Sequence, residues 1–239
     1  MGAYLGNTEI GQMYLGGTEI AQAYLGSTKV WEAGSPEPPI PLPYDSAVEY
    51  LGYDGNQCID TGITPNETIE CEIVFAPTSA NAASCGIFSA RNAQNNSAPP
   101  HSAYALSIWN NGNRIALNDK DYDSGWKSGY IAYDVIKTAS IKSRALYVDD
   151  TLVVSSTSTD SISFDVTYGL LKSKFLNGFD NRRGSSGKIY SAKIWKDGTL
   201  VRSFIPVRVE QVGYMYDTIS GQLFGNAGTG TFVLGNDKN

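Results

Sequence analysis

The sequence holds one histidine, His101, in 239 residues. That excludes metal centres built on several imidazoles and leaves any histidine-based catalysis a single candidate. His101 lies in Pro99-Pro100-His101-Ser102, just after Asn95-Asn96-Ser97, and no Gly-x-Ser-x-Gly nucleophile elbow accompanies it. It reads as a solvated loop residue. Cysteine is scarce too: Cys58, Cys71 and Cys85 have no CxxC spacing, which excludes a zinc module and a dense disulfide framework. Basic residues are outnumbered, 18 Lys+Arg against 24 Asp+Glu, for a formal charge of −6. A nucleic-acid partner is not expected without a basic face to neutralise phosphates. No apolar run approaches the roughly 18 residues that span a bilayer, so no membrane partner is expected. The first residues, Met1-Gly2-Ala3-Tyr4-Leu5-Gly6, carry neither a basic segment followed by an apolar one nor a myristoylation pattern. The expectation is synthesis in a cytosol without export by that route, with the three thiols reduced and buried.

Hydrophobic residues make up 41 % of the chain, enough to bury a core. The 25 glycines and 15 tyrosines point to strands and tight turns. The opening is a tandem repeat of ten residues. Its copies are Tyr4-Leu5-Gly6-Asn7-Thr8-Glu9-Ile10, Tyr14-Leu15-Gly16-Gly17-Thr18-Glu19-Ile20 and Tyr24-Leu25-Gly26-Ser27-Thr28-Lys29-Val30. An even period returns each residue type to one face of an extended chain. In a helix, ten residues would rotate each copy by roughly 80° from the last, so no stripe survives. The glycine at the third place marks a turn. The segment therefore reads as very short strands joined by Gly turns.

About 30 residues are too few to bury a private core. The apolar side chains of Tyr4, Leu5, Ile10, Tyr14, Leu15, Ile20, Tyr24, Leu25 and Val30 thus form a candidate assembly interface, covered by other copies or by a partner. Packing on the following domain is the alternative. Residues 1–33 are read as this assembly stalk. Residues 34–44 follow as a spacer with five prolines, Pro36, Pro38, Pro39, Pro41 and Pro43, extended over roughly 30 Å. Residues 45–239 form the main domain.

That domain alternates short apolar/polar runs with turn signals. Ile69–Phe75, Tyr104–Trp109 and Ser161–Val166 read as strands. Ala145–Val154 around Asp149-Asp150, and Ile189–Arg202 around Asp197-Gly198, read as complete hairpins. No segment has a persuasive helical period. The expected fold is all-β, a two-sheet antiparallel jelly-roll sandwich preceded by the repeat stalk.

Two stretches carry binding chemistry. Trp109, Tyr122 and Trp126 flank a polar loop with Asn110 and Asn113. Sugars stack their C–H faces on aromatic rings and bond their hydroxyls to amides and carboxylates, so these five residues are the candidate glycan site. The plainer reading buries Trp109 in the core. Asp119, Asp121 and Asp123 alternate before Ser124-Gly125, a set of oxygens that could hold calcium. The EF-hand spacing fails, since Tyr130 stands where a Glu is wanted, and a solvated acidic loop explains the residues equally well. No other cofactor is expected. Glu70-Cys71-Glu72 puts two carboxylates on one strand face, the solvent side of an antiparallel sheet.

Tyr50-Leu51 with Gln57-Cys58-Ile59-Asp60-Thr61-Gly62 resembles the opening of a concanavalin A-like, laminin-G-type sandwich. Gly187–Ile194 resembles its late strand. Leu200–Val207, Tyr216-Asp217, Ser220-Gly221 and Asn226–Gly230 resemble its closing segment. The decapeptide repeat resembles the N-termini of virion proteins from phages of gut Bacteroidetes. Together the resemblances imply a virion fibre or appendage protein, assembled in the host cytoplasm. The repeats would attach it to other virion proteins and to its own copies, preferably as a trimer, and the sandwich would display a lectin-like surface to host or mucosal glycans. A purely architectural head-fibre or decoration protein is the rival. A glycan-cleaving enzyme is a third reading. The Glu-x-Asp-x-x-Glu string of related glycosidases is missing, so no catalytic residues are assigned and the chain is not expected to be an enzyme.

Overall fold

The computed structural model describes residues 4–5, 8–9, 14–15, 18–19, 22–25, 27–32, 42–78, 85–91, 105–109, 114–118, 126–157, 165–180 and 185–238. The chain forms two compact units, Met1–Leu42 and Pro43–Asn239.

In the first unit each repeat closes on itself. Tyr4–Leu5 pairs with Thr8–Glu9, Tyr14–Leu15 with Thr18–Glu19, and Gln22–Leu25 with Thr28–Glu32, every pair antiparallel. Two residues separate the strands of each pair, Gly-Asn, Gly-Gly and Gly-Ser in the sequence. Two-residue connections of this composition favour the turns whose twist suits a hairpin. The repeat is thus one hairpin per decapeptide, three small sheets in series. Ile10 and Ile20 lie outside the described residues. Most of the proline spacer does too.

The second unit is a sandwich of two antiparallel sheets, and no helix occurs among the described residues. The larger sheet runs in the order Thr151–Ser155, Ala145–Val148, Lys137–Lys142, Glu70–Pro77, Gly187–Lys196, Thr199–Val209, Val212–Asp217 and Gln222–Phe224. Leu51–Tyr53 adds to Gly187–Lys196 and itself carries Val233–Leu234. The smaller sheet runs Lys127–Ser128, Arg114–Asn118, Ala105–Trp109, Cys85–Ser89, Gly169–Leu170 and Ile59–Asp60. Asp165 and Val166, the described part of the expected strand 161–166, form a bend.

Both sheets face one shared core. Leu51, Cys71, Ile73, Phe75, Ile189, Ile194 and Phe204 come from the larger sheet, and Ile87, Phe88, Leu106, Ile108, Ile115 and Leu170 from the smaller. The Phe88 and Tyr168 rings stack with centroids 4.0 Å apart. Burial alternates strictly at the start of Glu70–Pro77: Cys71, Ile73 and Phe75 are buried, Glu70, Glu72 and Val74 only partly. The inward residues leave water, at roughly 1.5–3 kcal/mol for each large side chain. The outward Glu72 meets Lys193 at 3.1 Å.

Both hairpins read from turn chemistry are present. Asp149 and Asp150 have φ of 48° and 60°, and Asp197 and Gly198 have 52° and 74°. Two consecutive positive values are what a type I′ turn demands. Ser143 and Arg144, at 47° and 63°, make a third such turn between Lys137–Lys142 and Ala145–Val148. Nothing in those two residues announces it. At Asp149 the side chain helps: its carboxylate accepts from the Thr138 N–H at 3.0 Å and from Lys137 Nζ at 2.7 Å. Those hydrogen bonds, Lys137 first, hold its carboxyl below the usual carboxylate range. Asp150 has only a 3.8 Å ion pair with Lys142 and is exposed. Replacing Asp150 by Gly relieves the left-handed strain and should stabilise the domain by about 0.5 kcal/mol, read as a raised urea midpoint.

Cys58, Cys71 and Cys85 are free and buried, as expected. Burial pushes the Cys58 thiol up to about 11 and those of Cys71 and Cys85 up to about 12. The thiolate is the reactive form. At pH 8 a disulfide reagent should therefore leave the folded protein unlabelled within minutes and titrate three thiols in urea.

Candidate functional site

Two of the five expected glycan-site residues, Trp109 and Trp126, are among the described residues of the smaller sheet and its edge. Trp109 closes the strand Ala105–Trp109 and is the register partner of Arg114, which in turn pairs with Ser128. The next row holds Ile108 and Ile115, both in the core. Trp126, half-buried, precedes the edge strand Lys127–Ser128. The other members, Asn110, Asn113 and Tyr122, lie outside the described residues. So do Asp119, Asp121 and Asp123, together with His101. Among the described residues no group of three or more His, Cys, Asp or Glu could hold a metal ion.

A second concavity was not foreseen. It is a groove of about 420 Å³ lined by Glu67, Thr68, Ile69, Glu70, Ser143, Arg144, Asp197 and Gly198. Its two walls are the type I′ turns at 143–144 and 197–198, and its floor is the segment that enters Glu70–Pro77. Each wall is pinned to that segment. Glu70 accepts from the Ser143 N–H at 2.9 Å. The Thr68 hydroxyl donates to the Asp197 carboxylate at 2.6 Å and accepts from the Asp197 N–H at 3.1 Å. Asn66 Nδ2 adds a 3.3 Å bond to the same carboxylate. The groove is thus formed before any ligand arrives. The sequence signal that could have found it is weak: two turn dipeptides and a Glu-Thr-Ile-Glu run, lying up to about 130 residues apart.

The residues that carry the laminin-G resemblance have a different role. Gln57 accepts from the Asp54 N–H at 2.9 Å and donates to the Thr231 carbonyl at 2.8 Å. Asn226 accepts from the N–H groups of Cys58 and Gly228, at 3.0 and 2.9 Å. Thr61 donates through its hydroxyl to the Tyr168 carbonyl at 2.8 Å. Asp60 bonds Thr167 and Lys174. Partial burial raises the Asp60 carboxyl, but the bonds from Lys174, Thr167 and Gly62 outweigh that and hold it below the ordinary range. Asp217 is fully buried and accepts from the Ser203 N–H at 2.8 Å, the Ile219 N–H at 3.2 Å and the Ser220 hydroxyl at 2.7 Å, with Arg202 at 3.5 Å. These side chains tie late segments of the domain to early ones and leave no oxygen arrayed for a ligand.

Comparison with known proteins gives little beyond the fold. No family model matches the chain, and no curated protein does. The structure is similar to that of a Bacteroides ovatus ATCC 8483 protein described as a "putative carbohydrate binding protein". The TM-score is 0.47 at 9 % identity, covering 81 % of this chain and 61 % of that one. This chain therefore spans less than two thirds of that protein.

The buried network makes Asp217 the most sensitive polar position described. Asp217→Ala strands the donors of Ser203, Ile219 and Ser220 and leaves Arg202 without its buried partner. The cost should be about 3–5 kcal/mol, measured by urea unfolding. Asp217→Asn keeps one acceptor oxygen and should lose less.

Proposed function

We propose that this chain is a structural component of a phage virion, a fibre or appendage protein that attaches through its N-terminal hairpins and displays the sandwich for adhesion to host or mucosal glycans. The observation that carries the reading is the repeated hairpin. Three small two-stranded sheets stand in series, two of them with strands of only two residues. An isolated two-stranded hairpin is marginal in water. The sequence repeats Tyr, Leu and Ile or Val in each copy, and a second chain is the natural cover for apolar residues in hairpins this small. Other copies of this chain supply it most economically around a threefold axis, with further virion proteins at the attachment point. Assembly in the host cytoplasm suits three reduced thiols.

Adhesion, rather than catalysis, is supported by the state of the carboxylates that invited an enzymatic reading. One oxygen of Glu70 accepts from the Ser143 N–H and one of Glu72 from Lys193, so each carboxylate is anchored to the sheet through one oxygen. Weak sugar contacts would gain through copy number, with avidity raised by roughly 10²–10⁴ in a trimer.

Sedimentation tests the assembly. The full chain should run as a trimer and Pro43–Asn239 as a folded monomer. A full-length chain that stays monomeric at micromolar concentration overturns the attachment role. Silence of the full chain across host polysaccharides would move the reading to a purely architectural virion protein.

A further inference from the structure

We infer that the groove between the 143–144 and 197–198 turns, together with Trp195 opposite Glu70 on the neighbouring strand, is a sugar-binding site and that its ligand is a neutral hexopyranose. The inference rests on the adhesion reading and places its site on the larger sheet, away from the Trp109–Trp126 strip that the sequence nominates.

Trp195 is the register partner of Glu70. Directly opposed residues hold their Cβ atoms within about 5 Å. Both stand on the outward face, because their chain neighbours Cys71 and Ile194 are fully buried in the core. Trp195 is half-buried, unlike Phe75 and Phe204 of the same sheet, which are enclosed. The ladder between Gly187–Lys196 and Thr199–Val209 also shifts register between Ile194 and Trp195. A bulge of this kind redirects the side chains next to it. The result is an indole beside a groove whose polar groups come from three separate segments.

That combination matches the surface of a pyranose. The ring offers a C–H face to the indole, and its hydroxyls need acceptors and a donor around the rim. Glu67, Glu70 and Asp197 supply carboxylate oxygens, which accept from vicinal hydroxyls. Arg144 brings a guanidinium to the lining, and the backbone of the segment through Ile69, whose side chain is in the core, runs beneath. At about 420 Å³ the groove lies within the usual range of small-ligand sites, roughly 300–1,000 Å³. Three carboxylates against one guanidinium leave the lining net negative. Sialic and uronic acids would meet like charge there, so the ligand is a neutral sugar.

The test uses the full-length protein on an array of galactose-, glucose- and mannose-terminated glycans beside sialylated and uronic-acid-terminated ones. Neutral glycans should be retained in preference to acidic ones. Trp195→Ala and Glu67→Gln should each weaken that retention by about tenfold, while Trp195→Phe keeps most of it. Glu67 is exposed, so its variant reads the site without disturbing the fold. Neutral binding that neither Trp195→Ala nor Glu67→Gln alters would overturn this site and leave the adhesion reading intact. A preference for acidic glycans would overturn the ligand class. Retention of no glycan at all would overturn both the site and the adhesion reading.

Discussion

The two-residue alternation along Glu70–Pro77 is the constraint on which most else in the domain rests. This strand lies in the middle of the larger sheet, between Lys137–Lys142 and Gly187–Lys196. A slip of one residue would send Cys71, Ile73 and Phe75 into water and Glu70 and Glu72 into the core. The register is therefore fixed by burial on one face and by the Glu72–Lys193 pair on the other. The same register sets Glu70 beside Trp195 and beneath the 143–144 turn. Core and groove are two consequences of one pairing.

That pairing joins residues more than a hundred positions apart, which explains what was and was not legible in the sequence. Hairpins were legible, because Asp149-Asp150 and Asp197-Gly198 name their turns locally. The inward faces were legible from alternation. The hairpin inside each decapeptide was only half legible: the Gly turn was visible, but a period of ten fits an extended chain as well as a folded one. The groove was not legible. Its walls meet only after the 66–70 segment has been laid between two turns that come roughly 70 and 130 residues later. Trp195 passed as one more aromatic in an alternating strand, since nothing local separates an outward Trp from an inward one before the partner strands are known.

Resemblance to a known sandwich also misdirects if its shared residues are taken for binding residues. Gln57, Asp60, Thr61, Asp217 and Asn226 spend their hydrogen-bonding capacity on backbone and side chains within the domain. A buried polar group must find partners or destabilise the fold, and here the partners are loops that would otherwise be loose. Asp217 alone gathers the Ser203 strand and the turn through Ser220. A binding surface has to be sought where polar side chains keep capacity to spare.

The groove meets that condition in a particular way. Its rigidity comes from groups that point along the walls: the Ser143 N–H held by one Glu70 oxygen, and Asp197 held by Thr68 and Asn66. Glu67 is exposed and takes no part in those bonds. Stiff walls lower the conformational entropy lost on binding, so even a small polar ligand can be held without a deep pocket. An open groove still binds one sugar weakly, and here the first unit matters. On the proposed reading its three hairpins are covered by other chains, and that assembly would also multiply the groove. A protein built from a weak, preformed site and a segment that cannot remain alone is suited to adhesion by number, with each contact readily exchanged and the ensemble firmly held.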